Sequence, residues 1–302
     1  MNKWITLLLA SLALFFLANV SALFLTDVTT SISKNNVIII PLYGVITIDN
    51  AERGLIGSNS VIADEVVAEL KDAEKDTNIK AIILEINSPG GSAVASAEIA
   101  HTVKSLNKTT YALIRDVGAS GAYWVASATD KIIASPLSIT GSIGVISSYL
   151  DFSDLFDNYG VEYQRLVAGK YKDVGTPFKD LTPEERIILE KKLETVHKAF
   201  IDEVVANRRI QQDMDRITTG EFFLGTEALD LGLVDALATK EEALEIIKKD
   251  LGLEDMNIIE KKKQQSFLAL LAQQVPLSLG RGFAAEVLDR STEQPAVRIE
   301  AR

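Results

Sequence analysis

The pattern of apolar and polar residues begins with a long uncharged run from Trp4 to Leu25. At about 1.5 Å per residue, a helix over these residues is long enough to cross a hydrocarbon core of about 30 Å. Residues 1–25 are therefore predicted to be a transmembrane anchor or uncleaved signal segment. A cleaved signal peptide remains the alternative, because Val20-Ser21-Ala22 offers small residues to a peptidase.

The charges that flank this run indicate its orientation. Lys3 precedes it, and Asp27 is the first charged residue after it. Since positive residues tend to stay on the cytoplasmic side, the amino terminus is predicted to be cytoplasmic. The protein is therefore expected in the cell membrane with a single pass, and the rest of the chain outside the cytoplasm. Residues 26–35 have no clear period and are predicted to be a linker.

Beyond the linker, short apolar runs alternate with helical patterns. Several of the runs end in a glycine turn, as expected where a buried strand passes into a helix. This alternation predicts an α/β fold with mostly parallel strands and right-handed crossovers. Strands are predicted at 37–42, 45–48, 81–86, 111–115, 131–134 and 144–147, and helices at 60–74, 93–106, 122–129 and 182–209.

The helix at 182–209 has the most complete set of signals. Thr182 is its predicted cap, Pro183 suits the first helical position, and Glu185 completes a capping box. One apolar stripe follows it, formed by Leu189, Leu193, Val196, Phe200 and Val204. Residues 240–265 continue with a charged helical pattern, and residues 266–272 are a second apolar segment, too short to span a membrane.

Composition narrows the function. The chain is 47% hydrophobic and 24% charged, which is typical of a globular protein, and its net charge of -11 argues against nucleic-acid binding. It has no cysteine, so a thiol nucleophile and a disulfide framework are both excluded. The two histidines exclude a zinc site of three histidines; His101 is read as a structural or surface residue and His197 as a polar neighbour of the helical stripe. No metal site and no cofactor are predicted.

With so few histidines, a serine nucleophile needs another base, and a neutral lysine can serve. Ser120 is the candidate nucleophile, because Gly118-Ala119-Ser120-Gly121 follows a predicted strand and opens a predicted helix. On these residues alone, a serine that merely caps the helix remains the alternative.

A second glycine turn offers the hydrogen-bond donors that such chemistry needs. Asn87-Ser88-Pro89-Gly90-Gly91-Ser92 also lies between a predicted strand and a predicted helix, and its paired glycines let backbone amides approach a ligand. With one helix and one strand between them, the two turns are expected at the ends of neighbouring strands, on the same edge of the sheet.

In this order and spacing, the motifs resemble serine peptidase family S49, in the superfamily of ClpP-type peptidases and crotonases, and most closely its signal peptide peptidases of the A type. The resemblance covers about residues 36–240, which are the predicted peptidase domain, and implies repeated β-β-α units. Residues 241–302 are then a C-terminal helical extension and polar tail. Besides the two turns, the resemblance is carried by 140–145, 169–173, Thr219-Gly220, Ala228 and 231–235.

The resemblance also implies roles. Ser120 matches the nucleophile and Lys172 the general base, while the backbone amides of Gly91 and Gly121 match the oxyanion hole. Ser142 matches a serine that orients the lysine. From the residues alone, Lys170 and Lys179 are equally eligible as the base. Because a carboxylate facing the amine would raise the pKa of the lysine, Asp173 is expected to point away from Lys172.

The implied function is a membrane-associated serine endopeptidase that degrades remnant signal peptides and other apolar peptides, anchored in lipid through residues 4–25. The resemblance also implies a homo-oligomer, expected as a ring, in which neighbouring protomers could share the catalytic pair. Three alternatives stay open: an acyl-CoA enzyme of the crotonase type, a membrane-anchored scaffold without catalysis, and another membrane serine peptidase with a narrower substrate.

Overall fold

The computed structural model describes residues 35–49, 60–208, 210 and 213–260, all within one compact unit. The predicted membrane segment at 4–25 and the apolar segment at 266–272 lie outside these residues. Within the described ranges, no helix is both long and apolar enough to cross a bilayer.

The strands and helices alternate along much of the described chain. In order they are β1 (Asn36–Tyr43), β2 (Val45–Thr47), β3 (Ser60–Ile62), α1 (Ala63–Lys75), β4 (Ile79–Ser88), α2 (Ala93–Lys104), β5 (Thr109–Ala119), α3 (Gly121–Ser127), β6 (Lys131–Ala134), β7 (Ile139–Gly141), α4 (Ser153–Asn158), α5 (Pro183–Arg208), α6 (Met214–Ile217), β8 (Phe222–Leu224), α7 (Gly225–Asp230), β9 (Ala236–Leu237), α8 (Lys240–Asp250) and β10 (Asn257–Glu260).

The main sheet has the strand order β10-β1-β4-β5-β6-β9, and every pairing along it is parallel. β7 adds to the end of β5 in parallel, and β8 pairs with β7 in the antiparallel direction. A separate small sheet pairs β2 with β3. The α/β class and the mostly parallel strands are thus confirmed.

Both faces of the main sheet are covered, which explains why its strands are continuous apolar runs. Ile38, Ile82 and Leu84 pack in the core cluster that includes α1, α2 and α3. Their neighbours along the strands pack in a second cluster with Ala243 and Ile247 of α8. Since β10 also pairs with β1, the sheet continues past residue 240, where the sequence places the end of the peptidase domain.

Three predicted elements differ from the structure. The helix predicted from residue 60 begins at Ala63, because Ser60–Ile62 pairs with β2 as a strand. The predicted strand at 144–147 is wrong; the strand lies at Ile139–Gly141, where β5 and β8 supply pairing partners. The helical pattern at 240–265 ends as a helix at Asp250, and Asn257–Glu260 is a strand.

The long helix α5 follows its prediction closely. Thr182 Oγ1 accepts from the Glu185 amide at 3.3 Å, and the Glu185 carboxylate accepts from the Thr182 amide at 2.9 Å, which is the predicted capping box. Phe200 and Val204 of the stripe are buried. Its first members, from Leu189 to Val196, are only half-buried, so the first half of α5 has a partly uncovered apolar face.

Candidate active site

The two glycine turns meet at one edge of the main sheet. β4 and β5 are adjacent parallel strands, and Ser88 at the end of β4 pairs with Gly118 near the end of β5. A Cβ on Gly90 would lie 2.7 Å from the nitrogen of Gly121 and 2.9 Å from the carbonyl oxygen of Ala119. The expected position of both turns on the same sheet edge is therefore confirmed, and their backbones are in contact.

Ser120 has an unusual backbone conformation, with φ 54° and ψ −126°. Its amide donates to the Gly141 carbonyl at 2.9 Å, and its own carbonyl accepts from Trp124 at 3.0 Å, so both backbone groups are held. The half-buried side chain does not cap α3, and within the described chain its hydroxyl has no hydrogen-bond partner. A strained serine whose hydroxyl has no structural role is a recognised sign of a functional position.

Two backbone amides lie beside this serine. The Ile46 amide donates to the Gly90 carbonyl at 2.9 Å, and the Ile46 carbonyl accepts from the Ser92 amide at 2.8 Å. The Gly91 amide lies between these two hydrogen bonds and takes no part in the pairing. Gly121 is the first residue of α3, so its amide has no acceptor within that helix.

The two amides also lie close together. A Cβ on Gly121 would be 3.3 Å from the Gly91 nitrogen, and Gly91 is exposed. Donors in two adjacent turns, unpaired within the described residues and next to a serine, suit the stabilisation of an oxyanion.

A third turn completes this edge. Ser142 also has a positive φ, 52°, and its amide donates to the Glu221 carbonyl at 2.9 Å. Its hydroxyl donates to the Gly220 carbonyl at 3.2 Å. Because the Ser120 amide donates to the Gly141 carbonyl, this turn lies next to Ser120. Within one chain, the Ser142 hydroxyl makes no hydrogen bond to Lys172.

The three eligible lysines have different surroundings. Lys170 pairs with Glu184, which raises the pKa of the lysine, and Lys179 pairs with Glu185 at 2.7 Å. The Lys172 side chain is exposed, and within the described residues it makes no hydrogen bond or ion pair. A general base must lose its proton near working pH, so the raised pKa disfavours Lys170, while the Lys179 amine is occupied by Glu185.

Asp173 does not face the neighbouring lysine. Its carboxylate accepts from Arg165 Nε at 2.6 Å and from Nη2 at 2.8 Å, and this pairing holds the pKa of Asp173 below its usual range. The expectation that Asp173 points away from Lys172 is thus supported by its contacts. Arg165 was not singled out from the sequence, because a contact across eight residues without regular structure leaves no periodic signal.

The histidines have partners elsewhere. His101 Nε2 lies 2.8 Å from Glu203, whose other oxygen accepts from the Trp124 indole at 2.7 Å. His197 Nε2 lies 3.1 Å from the Ile143 carbonyl. The structural reading of His101 fits its surface contact with Glu203, and the half-buried His197 joins α5 to the residue that follows Ser142.

Sequence comparisons identify the family to which the chain is similar. The family profile described as Peptidase family S49 matches residues 102–254, and the one described as Clp protease matches residues 55–138. The chain is 31% identical over 241 residues to a candidate signal peptide peptidase, SppA, of Enterococcus faecium, which covers 78% of this chain and 70% of the relative.

Two further relatives are similar to this chain over a smaller share of their own length. A candidate protease of Methanocaldococcus jannaschii is 34% identical over 194 residues, covering 63% of this chain and 62% of the relative. The chloroplast serine protease SPPA of Arabidopsis thaliana is 31% identical over 195 residues, covering 63% of this chain and 29% of the relative. The chain thus spans less than two thirds of the archaeal protein and less than a third of the plant protein.

Proposed function

The chain belongs to peptidase family S49, a family of serine peptidases, and on that premise we propose that it is an endopeptidase of the signal peptide peptidase type with a Ser120–Lys172 dyad. The observation that carries the proposal is the conformation of Ser120. Its hydroxyl has no partner among the residues that the structure describes, and the Gly91 and Gly121 amides lie beside it.

In this mechanism, neutral Lys172 takes the proton of Ser120 as the hydroxyl attacks a peptide carbonyl. The amides of Gly91 and Gly121 hydrogen-bond to the oxyanion of the tetrahedral intermediate. Protonated Lys172 then gives its proton to the leaving amine, and an acyl-enzyme remains on Ser120. Water, deprotonated by the same lysine, hydrolyses the ester and regenerates the serine.

We place the dyad between two protomers of a homo-oligomer, with a ring as the simplest closed arrangement. The support is that neither the Ser120 hydroxyl nor the Lys172 amine has a partner within the described part of its own chain. Residues 146–187, which include Lys172, also expose large apolar side chains that the described part of one chain leaves uncovered. They include Ile146, Leu150, Leu155, Tyr159, Leu166 and Ile187. The Ser142 hydroxyl, which keeps a free lone pair, would orient the incoming lysine.

The proposed substrates are apolar peptides, in particular signal-peptide remnants in a membrane. The Enterococcus relative is named for that substrate class. In the proposed topology, residues 4–25 anchor the chain with its amino terminus in the cytoplasm, so the peptidase acts at the outer side of the membrane.

The test is hydrolysis of apolar peptides by the full chain and by Ser120→Ala and Lys172→Ala, from about pH 6 to about pH 10. Activity of the parent should rise with pH as the base loses its proton, and both variants should be inactive although folded. Lys170→Ala is the matched control, since it removes a neighbouring lysine from the same segment, and it should retain activity. Activity in Lys172→Ala would show that the base is another group.

A further inference from the structure

Arg165 contacts the backbone and side chain on both sides of Lys172. Its Nη2 donates to the Lys170 carbonyl at 2.9 Å, two residues before that lysine. Nε and Nη2 also donate to the two carboxylate oxygens of Asp173, the residue directly after it. A planar guanidinium holds such a two-point contact in a fixed geometry, which a lysine could not do.

We propose that Arg165 is a positioning residue for the catalytic lysine: it binds Lys170 and Asp173 so that Lys172 is presented outward, away from the Asp173 carboxylate. This inference rests on the proposed role of Lys172 as the general base. It assigns a function to an ion pair that the mechanism itself does not use.

Burial of the ion pair supports the proposal. The Asp173 side chain is 10% exposed and that of Arg165 is 39% exposed, in a segment whose other side chains are mostly open to solvent. A nearly buried carboxylate that lost its paired guanidinium would seek another cation. Lys179 also lowers the pKa of Asp173 by its charge, but its amine is held by Glu185 at 2.7 Å. Among the described residues, the nearest lysine along the chain without such a partner is Lys172, and pairing would keep that lysine protonated and unable to act as a base.

Four other carboxylates near this segment have partners other than Lys172. Glu184 accepts from Lys170 and, at 3.0 Å, from the Tyr171 hydroxyl, while Glu185 pairs with Lys179. Asp151 and Asp180 both lie within hydrogen-bond distance of the Ser153 hydroxyl, at 2.7 and 2.8 Å. Asp173 is therefore the carboxylate whose position next to Lys172 depends on Arg165.

The first arm of the test measures kcat/KM of the full chain against pH for Arg165→Gln and for the parent. The apparent pKa of the rising limb should increase by about one unit in the variant, so activity should fall roughly tenfold near neutral pH and recover toward pH 10. Lys198→Gln is the matched control, because it removes the same charge from an exposed ion pair on α5, and its profile should overlay that of the parent. Circular dichroism and oligomer mass at each pH show whether the variants are assembled.

The second arm removes the carboxylate as well. Arg165→Gln/Asp173→Asn should return the apparent pKa to the parental value, even if the looser segment lowers the maximal rate. An equal loss of activity at every pH in Arg165→Gln, or a pKa that stays raised in the double variant, would overturn the proposal. Lys172→Ala, measured alongside, separates this result from a failure of the proposed function: if it stays active, Lys172 is not the base.

Discussion

At the scale of single residues, the site depends on backbone groups forced close together. A serine at φ 54° lies outside the ordinary regions for a side chain, at a cost of about 1–3 kcal/mol that the surrounding structure must offset. The Gly141 carbonyl and the helix behind Ser120 hold its backbone from both sides. Gly121 lets this turn approach the Gly91 turn, because no side chain separates them.

Gly121→Ala tests this contact. The added methyl would lie 2.3 Å from Ser96 Oγ and 3.3 Å from the Gly91 nitrogen, so one of these groups must move. Displacing an oxyanion donor is expected to lower peptidase activity by roughly 100-fold. In Gly121→Ala/Ser96→Gly the hydroxyl clash is gone but the contact with Gly91 remains.

The double variant should therefore regain part of the lost melting temperature without regaining activity. Thermal unfolding and peptide hydrolysis, measured on the same preparations, separate the two effects. If activity returned together with stability, the Gly91 amide would not need its present position.

These residue-scale features differ in how far the sequence alone reveals them. Ser120 and the two glycine turns were predictable, because a glycine-flanked serine between strand and helix patterns is a local signal. Lys172 was distinguished from Lys170 and Lys179 only by family resemblance, whereas the structure separates them by their carboxylate partners. Ion pairs of this kind depend on the path of an irregular segment, which no periodicity encodes.

At the scale of elements, the helices were easier to predict than the short strands. α5 carries its cap, its first-turn proline and its stripe in one continuous stretch. The three-residue strands β3, β7 and β8 form because distant segments pair with them. The local sequence does not show these pairings, so residues 60–62 were predicted as the start of a helix and residues 144–147 as a strand.

The second half of α5 supports the helix that begins beside Ser120. Phe200 is buried and stacks on Trp124 of α3, with ring centroids 4.5 Å apart and planes at 7°. Phe200→Ala should lower the free energy of unfolding by about 3–5 kcal/mol, since it leaves a cavity at this contact. Phe200→Leu fills most of that space and should lose less, as urea unfolding would measure. Equal losses in the two variants would mean that cavity volume does not determine the effect.

At the scale of the whole molecule, the two halves of the proposed site face different surroundings. Ser120 lies on the packed edge of the main sheet, and Lys172 lies on a segment with exposed apolar side chains. An exposed apolar surface of this kind is typical of an interface. If the interface is head-to-tail, the segment of each protomer reaches the serine of the next, and no protomer is active alone.

Mixing two inactive variants tests this arrangement directly. Ser120→Ala keeps its lysine and Lys172→Ala keeps its serine, so a neighbouring pair in the right order contains one intact dyad. Co-assembly in equal amounts should restore activity at about a quarter of the sites, because each site draws its serine and lysine from different protomers. Each variant alone, and the two mixed after separate assembly, should stay inactive, which controls for contamination and slow exchange. If co-assembled mixtures remain inactive although mass measurements show hetero-oligomers, the dyad must form within one chain, and Lys172 must then move to reach Ser120.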